Sequence, residues 1–205
     1  MSGWRRDRLR MVLGRDVCQR RCCRDRGRNG GRRHTGVEMI AIGCDPGTTG
    51  AIAAVCSVRG LLEVERLPSV DRGAGKRAVN YVDATAMRDM LRDWSHRHRF
   101  AGDEVATVIE QVGAFPGLSA FGALQMGHAA GVCEAVLAAT IAGPVMVRPR
   151  WWKAFYGLGK AKGASVEAVR RLYPSAPARL AHDKAEAILL AHWHLVQING
   201  ERVAA

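Results

Sequence analysis

Apolar residues come in two kinds of run along this chain. Short runs of small and β-branched residues, Met39–Cys44, Ala51–Val58 and Leu61–Leu67, follow one another closely, joined by the tight turn Pro46-Gly47-Thr48-Thr49-Gly50 and by Arg59-Gly60. Runs punctuated in this way predict an antiparallel meander of three strands. Val105–Glu110 is almost wholly apolar, the pattern of a strand buried on both faces in a parallel sheet, and Val145–Val147 is a shorter run of the same kind. Elsewhere the period changes to that of a helix. Ala86, Met87, Met90, Leu91 and Trp94 share one face of a helix capped by Asp83 and reaching about His98. Further helices are predicted over Phe121–Ala139, over the aromatic-rich Arg150–Tyr156, from a Ser165 cap to Leu172, and over Asp183–Val196 with the stripe Ala185, Ile188, Leu189, His192, Leu195, Val196. Ser69–Val82, rich in Gly and charge, reads as a mobile loop, and Gly157–Gly163 as a basic one. There is no internal repeat. Strands first, then alternating helix and strand, predict an α/β fold: a mixed sheet in which the antiparallel meander is extended by parallel strands and flanked by helices.

Composition divides the chain unevenly. Residues 1–38 hold twelve arginines, no lysine and the four acids Asp7, Asp16, Asp25 and Glu38, so this stretch carries +8 of the formal +12. With few apolar residues and no period it is expected to be a disordered leader, with residues 39–205 as the single folded domain. Met39, directly before the first strand, is a second candidate start. The leader lacks the apolar core of a secretory signal. No stretch reads as a membrane span either: Ala120–Pro144 comes closest, and its Gln125, His128 and Glu134 mark a buried helix of a soluble domain. Cys44, Cys56 and Cys133 fall in predicted cores and Cys18, Cys22 and Cys23 in the leader, so no disulfide framework is expected and a reducing, cytoplasmic setting fits. The leader spacing, with His34, matches no common zinc pattern.

Four acids on three segments carry the candidate chemistry. Asp45 ends the first strand at a glycine-lined turn, Glu110 ends the apolar strand, and Asp183 and Glu186 open the last helix three residues apart, on one face. Each has an ordinary reading. Asp45 fits an Asp-Pro-Gly turn, Glu110 a solvated strand end, and Asp183 with Glu186 a capping box. The last reading can coexist with a functional one, because carboxylates converge where helix starts and strand ends meet. Gathered together, the four would repel, hold raised pKa values or stay open, and suit an all-oxygen site for two magnesium ions.

As a set, Asp45-Pro-Gly-Thr-Thr-Gly-Ala51, Val108-Ile-Glu110, Phe115-Pro-Gly117, Arg148-Pro-Arg-Trp-Trp-Lys153 and His182-Asp-Lys-Ala-Glu-Ala187 resemble the RuvC-type Holliday-junction resolvases, in particular their short phage and prophage forms, over about residues 39–197. The resemblance implies an RNase H-like fold and a magnesium-dependent endonuclease, with manganese able to substitute. Such an enzyme cuts branched DNA as a homodimer in recombination and repair and leaves 5′-phosphate and 3′-hydroxyl ends. By position Asp45 would bridge two metals, Glu110 would bind one, and Asp183 and Glu186 would complete the site. Glu186 stands where the bacterial housekeeping enzymes usually carry Asp. His182 would steer water or touch the scissile phosphate. Arg148, Arg150, Lys153, Lys160 and Lys162 would neutralise phosphates, with Lys153 also an accessory catalytic candidate, and Phe115 would wedge or stack at the junction. Trp151 and Trp152 read as core and rim of their short helix rather than as stacking platforms. The small residues Gly122, Gly127, Ala130, Gly131 and Ala135 would serve a dimer interface. Three rival readings stand beside this one: an actin-like ATPase or sugar kinase, whose phosphate turn resembles Asp45–Gly50 but which needs a second such domain; a catalytically inactive junction-binding protein; and a flap or fork nuclease with the same chemistry.

Overall fold

The structure is a computed structural model that describes residues 38–47, 49–73, 79–100, 104–113, 116–159, 161 and 163–203. All lie in one compact unit, Gly36–Ala205. The expectations for the leader, including Cys18, Cys22, Cys23 and His34, fall outside the described residues. Strands β1 (Met39–Asp45), β2 (Ala51–Cys56) and β3 (Gly60–Arg66) form the antiparallel meander, and β6 (Glu104–Glu110) and β7 (Val145–Val147) extend it in parallel, in the order β3-β2-β1-β6-β7. This is the mixed sheet that the apolar pattern predicts.

The central strand explains why the opening runs show no alternation of apolar and polar residues. Ile40, Ile42 and Cys44 point to one face, against Met87, Leu91 and Trp94 of α1 (Ala84–His98) and Cys133 and Leu137 of α2 (Ala120–Thr140). Met39 and Ala41 point to the other, against Ala187, Ile188 and Ala191 of the last helix, α5 (His182–Val203). A sheet covered on both sides needs apolar residues at every position. Two short helices, α3 (Pro149–Phe155) and α4 (Ala164–Leu172), complete the α5 side.

Gly43 decides where α5 sits. A Cβ there would lie 2.5 Å from both the Ala187 carbonyl oxygen and the Ala191 nitrogen, which are backbone atoms of α5 that cannot swing aside. The helix therefore rests directly on β1, with its first turn beside the end of the strand. Gly43→Ala should push α5 away and cost about 1–3 kcal/mol of stability, the range of core overpacking, measured by urea denaturation.

Four expectations need correction. Ser69–Val82 is not simply a loop: β4 (Ser69–Asp71) and β5 (Asn80–Val82) pair antiparallel. The Asp71 carboxylate accepts from the amides of Gly73 and Val79 at 2.7 and 2.9 Å, and Arg72 lies over the Tyr81 ring, so one acid ties the two strands together; residues 74–78 lie outside the described residues. Ser165 does not cap α4. Gly163 holds the cap position at φ +98°, where glycine is favoured, and leaves the serine hydroxyl inside the helix. The capping box of Asp183 and Glu186 is also absent, because the Ala185 amide already donates to Ala181 and α5 starts at His182. Finally, α2 is not buried all round. Ala129, Ala130, Cys133 and Leu137 face the core, whereas Phe121 and Leu124 are 54% and 69% exposed. Among the described residues no helix is long and apolar enough to cross a membrane.

Candidate active site

Strand parity places the first two acids. Side chains alternate along a strand, so Asp45 follows Met39, Ala41 and Gly43 onto the α5 face, and Glu110 follows Val108 onto the same face. Cys44 of β1 is level with Ile109 of the parallel β6, which sets Asp45 and Glu110 side by side at the carboxyl ends of adjacent strands. The Gly43 contact brings the first turn of α5 to this edge with Asp183 and Glu186. Gly50 closes the turn beyond Asp45: its amide donates to Gly47 at 3.1 Å, and a Cβ there would collide with the Asp45 carbonyl oxygen.

The short helix α3 supplies donors to two of the acids. The Trp152 indole nitrogen donates to Glu110 Oε2 at 2.8 Å, and Lys153 Nζ donates to Glu186 at 3.0 Å. Glu186, only 8% exposed, also accepts from the Ser165 hydroxyl at 3.3 Å and lies 3.3 Å from His182 Nε2. Asp45 differs from Glu110 and Glu186: no described residue donates a hydrogen bond to its carboxylate, as the ordinary turn reading would require.

The electrostatics follow from that arrangement. Burial, then the charges of Glu110, Glu186 and Asp183, push the Asp45 carboxyl up to about 8, and Lys153 only partly opposes them. Burial also raises Glu110, against the opposing pull of Lys153 and the Trp152 indole. Carboxylates whose fields converge on one buried acid in this way form a shared negative site that favours a proton or a cation. The donor set is all oxygen and carboxylate, which suits a hard divalent ion such as magnesium. Among the described residues no three of these groups already close on a single point, and the Lys153 ammonium is the cation held against Glu186.

With that geometry in place, a comparison with solved structures settles the architecture. T. thermophilus RuvC in complex with Holliday junction substrate aligns with a TM-score of 0.56 at 20% identity, over 77% of this chain and 93% of that one. The chain has the RuvC fold. A further Thermus thermophilus RuvC structure aligns at 16% identity with a TM-score of 0.49, over 78% of this chain and 97% of that one. No protein-family model and no curated protein sequence matches the chain.

Within this RuvC fold, Asp45, Glu110, Asp183, Glu186, His182 and Lys153 lie at one end of the sheet, as the linear sequence could only suggest. Arg148 and Arg150 are exposed and line a cleft with Gln111, Val112, Gly113 and Pro149, directly after Glu110 on its β7 side. Phe115, Lys160 and Lys162 lie outside the described residues. The two tryptophans reverse the expected order: Trp151 is the rim and Trp152 the core, 53% and 0% exposed, because the helix turns Trp152 inward under the sheet end. Sequence reasoning missed that the buried Trp152 has its N–H on Glu110 and that Ser165 reaches Glu186. One clue was available: an indole N–H placed in a core needs an acceptor, and the acids of the neighbouring motifs were the candidates.

Proposed function

We propose that this chain is a magnesium-dependent, structure-selective endonuclease that cuts Holliday junctions and related branched DNA in recombination and repair. The observation that carries the reading is the meeting of Asp45 and Glu110 with the start of α5, where burial and then the charges of the other three acids lift Asp45 to about 8. The similar solved structure is a complex with Holliday junction substrate, which favours branched DNA over a nucleotide as the ligand.

Asp45, Glu110, Asp183 and Glu186 would hold two magnesium ions, with manganese able to replace them. When bound, the ions supply the activated water and stabilise the leaving oxygen of a phosphodiester. The chain's own residues do the rest. Lys153 holds Glu186 in place and offers positive charge to the incoming phosphate. His182, exposed beside Glu186, orients water or phosphate at the rim. Arg148 and Arg150 guide the strand along their cleft toward Glu110. Their contribution to binding would fall with salt as counterions are released. Phe115, Lys160 and Lys162 remain candidates for the junction and backbone contacts that the motifs assign to them.

The exposed side of α2, with Phe121, Leu124, Gly127, Gly131 and Ala135, would face a second copy and give paired sites for a two-fold symmetric junction. Buried free thiols at Cys44, Cys56 and Cys133 accord with work in a reducing cytoplasm. Glu186 in place of the more usual Asp points to the phage and prophage branch of these enzymes.

The full chain should be incubated with a synthetic four-way junction, a linear duplex and a flap, with and without magnesium. Nicks in the junction only with magnesium, bearing 5′-phosphate ends, are expected. Tight junction binding with no cutting would instead make the chain a junction-binding protein, and preferred cutting of the flap would make it a flap nuclease.

A further inference from the structure

Trp152 is fully buried among Val147, Val169, Leu189 and their neighbours, where an aliphatic or phenyl side chain would supply apolar contact equally well. What the indole adds is one N–H, a donor with no acceptor function. It donates to Glu110 Oε2 at 2.8 Å, a charge-assisted bond to the carboxylate. The same ring lies 4.9 Å from Lys153 Nζ, whose ammonium is bound to Glu186. A single residue from α3 thus touches one carboxylate directly and steadies the partner of a second.

We propose that Trp152 is a positioning residue for metal binding: its indole holds one Glu110 oxygen, fixes the carboxylate's orientation and leaves the other oxygen to receive a divalent cation. The inference rests on the reading of the four acids as a metal site. It goes beyond that reading in assigning the site's geometry to a core tryptophan. Partners that orient metal ligands through a hydrogen bond typically change metal affinity by about 10- to 100-fold when removed. Trp152→Phe keeps an aromatic ring and deletes the donor, so it separates the bond from the packing.

The test uses the full chain without DNA and manganese as the probe, with free ion counted by its paramagnetic resonance signal. Wild type and Trp151→Phe, which alters an exposed neighbour, should bind alike, and Trp152→Phe should bind about tenfold more weakly. In a Glu110→Gln background the Trp152→Phe change should have no further effect. If wild type fails to bind manganese, the metal-site reading falls. If it binds and Trp152→Phe binds equally well, only the positioning role falls. A second measurement does not depend on the folding of Trp152→Phe. Among the indole N–H resonances of the five tryptophans, one should move upfield in Glu110→Gln, as a bond to a carboxylate becomes a bond to an amide. No such movement overturns the proposal.

Discussion

Asp45→Asn should reduce cutting of a four-way junction by ~10³-fold or more, since losing several kcal/mol of metal-assisted stabilisation costs a decade for every 1.36 kcal/mol. The substitution preserves shape and removes charge at the acid that feels all three others. Glu110→Gln should act in the same direction. Binding of the junction should survive in both variants, because the proposed function gives the phosphate contacts to Arg148, Arg150 and Lys153 rather than to the acids. Single-turnover cleavage on denaturing gels, beside mobility shifts in chelator, separates the two effects. Full activity of Asp45→Asn in magnesium would reject the site.

Stability should depend on pH and magnesium through the same carboxylate. The folded chain holds the Asp45 proton more tightly than the unfolded chain does, with a folded pKa of about 8 against an ordinary 3.8. The associated stability is therefore fully present below about pH 4 and is lost as pH rises through about 8. Glu110 shifts in the same direction and adds to the loss. Each tenfold difference in proton affinity between the folded and unfolded chain is worth about 1.4 kcal/mol, so the penalty at pH 9 amounts to several kcal/mol. Thermal melts of metal-free protein at pH 5 and pH 9 should show the wild type losing more than Asp45→Asn, the variant being the more stable at pH 9. Magnesium at a hundredfold excess over its Kd should restore about 2.7 kcal/mol to the wild type and much less to the variant. Equal pH dependence of the two proteins would show that Asp45 does not carry this charge burden.

Much of the sheet could be read from residue order because its signals are local. Met39–Cys44 and Val105–Glu110 are apolar at successive positions, which only strands covered on both faces require, and Val145–Val147 falls where the pattern puts it. The β4–β5 pair escaped because its order comes from the Asp71 carboxylate bonding amides at Gly73 and Val79, a contact that composition does not encode. The start of α5 was misread for a related reason. Asp183 and Glu186 have the spacing of a cap, but tertiary neighbours claim Glu186: Lys153 from α3 and Ser165 from α4. Trp152 shows the limit most clearly. That one of two adjacent tryptophans is buried was legible in an aromatic-rich helix, whereas which one it is, and the direction of its N–H, depend on how α3 packs and where β6 ends in space.

Taken by itself, the amino-acid sequence determined the kinds of element, their order, and the identity of four acids at strand ends and a helix start, because periodicity and turn chemistry act between residues close along the chain. Tertiary structure alone decided that these acids share one charged site. Asp45 and Glu110 meet through the parallel pairing of β1 with β6, and α5 comes down upon β1 only because Gly43 leaves room for its backbone. The raised pKa of Asp45 exists only after that assembly, since burial and the fields of distant carboxylates belong to the folded arrangement and to no single segment.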